Sequence, residues 1–274
     1  MIARTLWAVA MLLLFLTPLV VPAVRDFFPA VVLAFGLLAL HEAVALSRRR
    51  DLRISYLLSA ACAVLLVTDA RLTLLANGLV IVALYMIVLL GDRVWRADYR
   101  NVAAEVGAAL LATLYVGLAM AVAVALMFMP GAAGESVGRW QIVFLIAVVF
   151  TGDSAAYVVG SRWGKRRFAP VLSPKKSLEG AVASVVVSIL AAAVCAAAIG
   201  PLRRFYGVPH ALAIGALLAL AAPIGDLAES ALKRDAGEKD SSHLIAGHGG
   251  FLDVFDALLF CVPIQYAYVQ LVLI

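Results

Sequence analysis

The chain has 274 residues, 65% of them hydrophobic and only 14% charged, with a mean hydropathy of +1.03 and a formal net charge of +5. A soluble domain is about half apolar and about a quarter charged, so too little polar sequence remains here to cover a water-facing surface; disordered, collagen-like and disulfide-scaffold chains are excluded with it. The basic excess, which in a soluble chain would point to nucleic acid, is what cytoplasmic loops give a membrane protein, and no nucleic-acid partner is expected.

The expected architecture is all-α: a polytopic integral membrane protein, because backbone in lipid is satisfied only inside helices or closed barrels and strand alternation is absent. Apolar runs of about 17–25 residues mark about nine spans. In chain order they lie near 6–24, 28–46, 54–69, 72–90, 103–129, 140–160, 178–200, 210–232 and 252–273. The first runs through Pro18 and Pro22 without a clear A-x-A cleavage site, so it is expected to be a retained span rather than a signal peptide. The third is short, and with the fourth is expected to form a tight hairpin around Asp69 and Arg71. Placing the N-terminus inside puts seventeen Lys and Arg residues on the cytoplasmic side against five outside, which sets the N-terminus in the cytoplasm. Cys62, Cys195 and Cys261 are scattered in apolar runs without metal or disulfide spacing and are expected to be small core residues.

Charge divides the chain. Over 1–150 it lies mainly at loop positions, as in a transmembrane scaffold, whereas 151–274 carries two polar clusters on one expected side, as in a catalytic region facing the cytoplasm. The first cluster holds Gly152-Asp153-Ser154 and Tyr157, then Ser173-Pro174-Lys175-Lys176-Ser177-Leu178-Glu179-Gly180. Asp153 falls inside a span, where a carboxylate costs about 2.5–3.5 kcal/mol on insertion scales, so it faces either a polar cavity or a cationic partner. From Arg162 to Lys176 there are six basic residues and no acid. Such a run reads as an ordinary positive-inside loop, or as an anion site, since the paired lysines follow a Ser-Pro turn and precede a helix N-terminus.

The second cluster, Asp226 to Asp256, contains seven of the seventeen acids. Asp226, Ser230 and Lys233 follow helical spacing, and Asp253 and Asp256 share a face at the start of the last span, behind Gly249-Gly250. Carboxylates without matching cations are hard oxygen ligands suited to Mg²⁺, which also binds substrate phosphates. Cations for phosphate beside carboxylates for a metal are what phosphoryl or nucleotidyl transfer requires. No nucleophile elbow or catalytic triad is present.

Ser230-Ala231-Leu232-Lys233-Arg234, Lys239-Asp240 and Gly247-His248-Gly249-Gly250-Phe251-Leu252-Asp253-Val254-Phe255-Asp256 together resemble the signature of the phosphatidate cytidylyltransferase (CDP-diacylglycerol synthase) family, S-x-[apolar]-K-R-x4-K-D followed by H-G-G-x-x-D-R-x-D. The Gly152–Tyr157 and Ser173–Gly180 runs resemble two further motifs of that family. Val254 stands where the signature has Arg, and Ala246 where it usually has Pro. The resemblance implies transfer of CMP from CTP to phosphatidic acid, giving CDP-diacylglycerol and pyrophosphate at the inner-membrane surface. It implies Asp226, Asp253 and Asp256 as Mg²⁺ ligands, and Lys175, Lys176, Lys233, Arg234 and Lys239 as phosphate-binding cations. Asp153, Ser173, Ser230, Asp240, His248, Gly249 and Gly250 are then substrate-side residues, with His248 shaping the turn or contacting phosphate. It further implies a homodimer and admits a second cation. A CTP-dependent transferase or kinase for another membrane lipid, a transporter, and a weakened homologue with a scaffold role stand as alternatives.

Overall fold

The computed structural model describes residues 13–97, 99–131, 137–170, 172–242, 244–245 and 249–274. Eight of its helices are long and apolar enough to cross a membrane: α1 (Pro22–Arg48), α2 (Tyr56–Thr73), α3 (Gly78–Trp95), α4 (Val102–Phe128), α5 (Gly138–Trp163), α6 (Leu178–Ala198), α7 (Gly200–Asp235) and α8 (Phe251–Leu273). Among the described residues no strand occurs, only isolated bridges at Arg167–Ser177 and Ile245–Gly249. The protein is an all-α polytopic membrane protein, and α1 to α8 match the second to ninth expected spans in order. The expected first span begins outside the described residues; residues 13–20 of it are helical.

Two boundaries differ from expectation for a physical reason. The α2–α3 turn lies at 74–77, not at Asp69 and Arg71, with Leu74 and Leu75 in the left-handed region. Asp69 is inside the helix because its carboxylate is satisfied there: Thr73 Oγ1 (2.6 Å), Asn77 Nδ2 (2.8 Å) and Asn77 N (3.0 Å) all donate to it. Arg71 pairs with Asp26 at 2.9 Å. Helix α7 starts at Gly200 rather than near 210 and contains a break at Gly207 (φ 61, ψ 171), after which Pro209 suits the first turn of a restarted helix.

Packing divides the chain into two units, Met1–Ala125 with Leu232–Phe255, and Leu126–Ala231 with Asp256–Ile274, a different partition from the one that charge suggests at residue 150. In the first unit, Gly36 leaves room for the Met120 thioether, and Ser59 Oγ, Tyr85 Oη and Thr113 Oγ1 form a buried hydroxyl chain with steps of 2.8 and 3.0 Å. A π-helical stretch, Thr113–Leu118, interrupts α4 at that chain. In the second unit, α5 and α6 form a hairpin closed by small residues: Gly152 faces Ser184 and Ser188, and Gly160 faces Gly180. Ser188 Oγ donates to Val148 O at 2.9 Å, the kind of short interhelical contact that small residues permit.

Candidate active site

The second unit builds its site from the α5–α6 loop. Ser177 caps α6 by accepting from Gly180 N (3.2 Å), and Glu179 in the first turn reaches back to accept from Lys165 N (3.1 Å) and Arg166 N (3.2 Å). Arg167 Nη1 donates to Lys175 O (2.7 Å), and Lys176 N donates to Ser173 O (3.2 Å). The loop is therefore tied down along its length. Lys175 stays exposed while Lys176 is half-buried, its Nζ 2.6 Å from Asp226 Oδ2. Sequence patterning did not single out Glu179, because it stands two residues after the Ser N-cap and not three, as a capping box requires.

Asp226 follows Pro223 in α7 by three residues; the proline has no N–H to donate to the preceding turn and loosens the helix there. At Gly225 a Cβ would meet the Asp256 carbonyl oxygen at 2.9 Å and the Phe260 side chain at 3.0 Å, so glycine is what lets the α7 and α8 backbones approach. The Asp226 and Asp256 carboxylates consequently repel each other. Asp153, from α5, repels both, and the Lys176 ammonium attracts both Asp153 and Asp256. Ser230 Oγ lies 3.5 Å from Asp226 Oδ1. A cavity of about 540 Å³ opens here, lined among others by Asp153, Tyr157, Arg167, Lys175, Lys176 and Asp226. Its wall joins four charged groups that were expected at the site, Asp153, Lys175, Lys176 and Asp226, from three separate stretches of sequence.

The first unit holds the other candidates. Lys233 Nζ lies 2.5 Å from Asp253 Oδ1, with both side chains nearly buried. Asp253 Oδ2 accepts from Gly250 N (2.7 Å), Ser241 N (2.9 Å) and sits 2.6 Å from Ser241 Oγ. Asp253 thus works as the back-reaching member of a capping box at the start of α8, and its two oxygens already have partners. Gly249, at φ +85, is where a side chain would strike the Asp253 carboxylate; at Gly250 it would strike Ser241 Oγ and Glu42. Both glycines are therefore required by the turn. Glu42 and Ser241 were not expected at the site; Glu42 lies 199 to 210 residues from its partners, and single-sequence patterning carries no signal at that range.

The remaining candidates are spread differently. Arg234 is exposed and donates to Glu238 O (3.1 Å). Lys239 is exposed and Asp240 half-buried in the same loop, which is anchored by Arg49–Glu238 (2.6 Å) and Arg50–Asp235 (3.4 Å). His248 lies outside the described residues.

Among the described residues no group of three His, Cys, Asp or Glu side chains is arranged to hold a metal by itself. The donor chemistry nevertheless suits a hard cation: three carboxylates, Asp153, Asp226 and Asp256, interact around one ammonium. Mg²⁺ commonly takes one or two protein carboxylates and fills its shell with water and substrate phosphate, so it does not need an all-protein cage. Asp253 Oδ1 has Lys233 as its partner and keeps a second lone pair.

A 133-residue segment is 37% identical to an uncharacterized Escherichia coli protein, YnbB, covering 48% of this chain and 43% of that one. A 164-residue segment is 34% identical to the phosphatidate cytidylyltransferase of Bacillus subtilis, covering 59% and 57% of the two chains. The phosphatidate cytidylyltransferase of Chlamydia muridarum is 40% identical over 133 residues, 48% of this chain and 43% of its own. The chain spans about half the length of the curated relatives it matches. The model of the cytidylyltransferase family matches residues 2–272, and the chain belongs to that family.

Proposed function

We propose that this protein transfers CMP from CTP to phosphatidate. An oxygen of the lipid phosphate attacks the α-phosphorus of CTP, a new P–O–P linkage forms, and the bond to the oxygen bridging the α- and β-phosphorus breaks. CDP-diacylglycerol and pyrophosphate result. The observation that carries this reading is the cavity in which Asp153, Asp226 and Lys176 meet, with Lys175 and Arg167 in its wall, in a chain of the cytidylyltransferase family.

Each residue has a stated part. Lys175, Lys176 and Arg167 offset phosphate charge on donor and leaving group, which is the main barrier when two anions react. The attacking oxygen is already ionised, so no strong general base is needed. Asp226 and Asp256 are the proposed Mg²⁺ ligands, and Asp153 orients them or takes a second cation. A bound Mg²⁺ would neutralise triphosphate charge and fix its geometry. Asp253, a ligand by the family signature, is in its present contacts the organiser of Lys233 and of the α8 N-terminus.

The seventeen-to-five distribution of basic residues supports a site on the cytoplasmic face of a bacterial inner membrane, where acyl tails stay in lipid and CTP in water. A homodimer is part of the same reading. The test is direct: protein purified in detergent, given radiolabelled CTP, phosphatidate and Mg²⁺, should yield a labelled lipid. Labelled product only with another lipid acceptor would move the substrate, and solute uptake into liposomes without lipid product would favour a transporter.

A further inference from the structure

Glu42 is a carboxylate with 2% exposure inside α1, in the part of the chain whose charges otherwise lie mainly at loop positions. A buried carboxylate is costly unless hydrogen-bonded, and this one is met on both oxygens. Oε1 accepts from Ser242 Oγ (2.6 Å) and Phe251 N (3.1 Å). Oε2 accepts from Leu252 N (2.8 Å) and lies 2.9 Å from Ser241 Oγ. Phe251 N and Leu252 N are among the first donors of α8, which have no partner within the helix. A carboxylate placed there satisfies them and opposes the positive end of the helix dipole.

The consequence reaches Asp253. Ser241 stands between the two carboxylates: its hydroxyl is 2.9 Å from Glu42 and 2.6 Å from Asp253, and its backbone N donates to Asp253. Gly250, buried against Glu42, donates to Asp253 as well. Glu42 thus ties Ser241 and Ser242 to the first residues of α8, beside the Asp253–Lys233 pair. We propose that Glu42 is a positioning residue for the transfer reaction: it ties Ser241 and Ser242 to Phe251 and Leu252 so that the Asp253–Lys233 pair is held in its working geometry. The proposal rests on the functional reading above.

Glu42→Gln tests it, since the amide keeps the volume but offers one acceptor atom for two sets of donors and presents an NH₂ to the others. The variant should elute as folded protein. Its turnover at saturating CTP should fall about 10–100-fold, the range for groups that orient a ligand from behind, while KM for CTP stays within about twofold, the pattern for a reacting geometry lost without loss of binding. Ser241→Ala combined with Glu42→Gln should be much less than additive, because both act through one turn. Hydrogen exchange of the peptide covering Gly250 to Asp256 should quicken in Glu42→Gln. If wild type makes the lipid product and Glu42→Gln turns over equally fast, the positioning role is wrong. If wild type makes no such product, the functional reading fails separately, and the exchange result decides the role of Glu42: unchanged protection of Gly250 to Asp256 overturns it.

Discussion

The two polar clusters of this protein use the same residue types to opposite effect. Around Glu42, Ser241, Lys233 and Asp253, every carboxylate oxygen meets a backbone N–H, a hydroxyl or an ammonium. Around Asp153, Asp226 and Asp256, the carboxylates repel each other; among the described residues Lys176 pairs with Asp226, Ser230 reaches Asp226, and Ala257 N donates to Asp256. A fully partnered buried charge fixes geometry; a surplus of like charge beside a cavity invites a cation and a phosphate to relieve it. The contrast separates the group that holds the start of α8 in place from the group proposed to face substrate, although both carry residues of one family signature.

Substitutions can break or sharpen that contrast. The largest effect is expected for Asp226→Asn and Asp256→Asn, which should lower CMP transfer by about 10²–10³-fold, as when a group stabilising transition-state charge is removed. Asp256→Asn should keep its folded yield, because it relieves like-charge repulsion, whereas Asp226→Asn also weakens the Lys176 contact, so its folded fraction is measured beside its activity. A stable variant with wild-type turnover would make the cluster structural. Lys176→Met removes a charge-assisted contact of about 1.5–3 kcal/mol and should cost ~10–100-fold in kcat/KM for CTP. Retained kcat/KM would place phosphate binding elsewhere.

Gly250→Ala acts on the other cluster. Its Cβ would press on Glu42 and Ser241, so thermal unfolding should show a loss of about 1–3 kcal/mol, the usual range for overpacking. Gly91→Ala, with nothing within 4 Å of the new Cβ, should instead hold or gain stability, by at most about 1 kcal/mol from helix propensity. Equal effects at both glycines would dissolve the claim of a tightly clasped turn. The smallest change is expected for Val254→Arg, which restores the signature residue on α8 and should leave turnover unchanged or raise it. A collapse would show that this turn is built differently from the family pattern.

What the sequence disclosed and what it concealed follow from the range of each interaction. Apolar run length located α1 to α8 in order, though α7 begins ten residues before its expected start, because spanning a bilayer is a local, one-dimensional constraint. It misplaced the α2–α3 turn, since Asp69 looks like a loop residue until Thr73 and Asn77 are seen to satisfy it within the last turn of α2. Asp153 was legible as an isolated carboxylate in an apolar run. Its neighbours Asp226 and Asp256 were legible as acids but not as its neighbours, because no local pattern relates α5 to α7 and α8. Glu42 was hidden most completely: beside Arg48, Arg49 and Arg50 it reads as an interfacial charge, and its four partners lie 199 to 210 residues further along.

The central claim is that carboxylates beside a cavity use a divalent cation to join two anionic substrates. Radiolabelled CTP and phosphatidate should therefore give labelled CDP-diacylglycerol with wild-type protein and Mg²⁺, no product with excess chelator, recovery when Mg²⁺ is restored, and almost none with Asp226→Asn at any Mg²⁺ concentration. Undiminished product in chelator, or from Asp226→Asn, would contradict it.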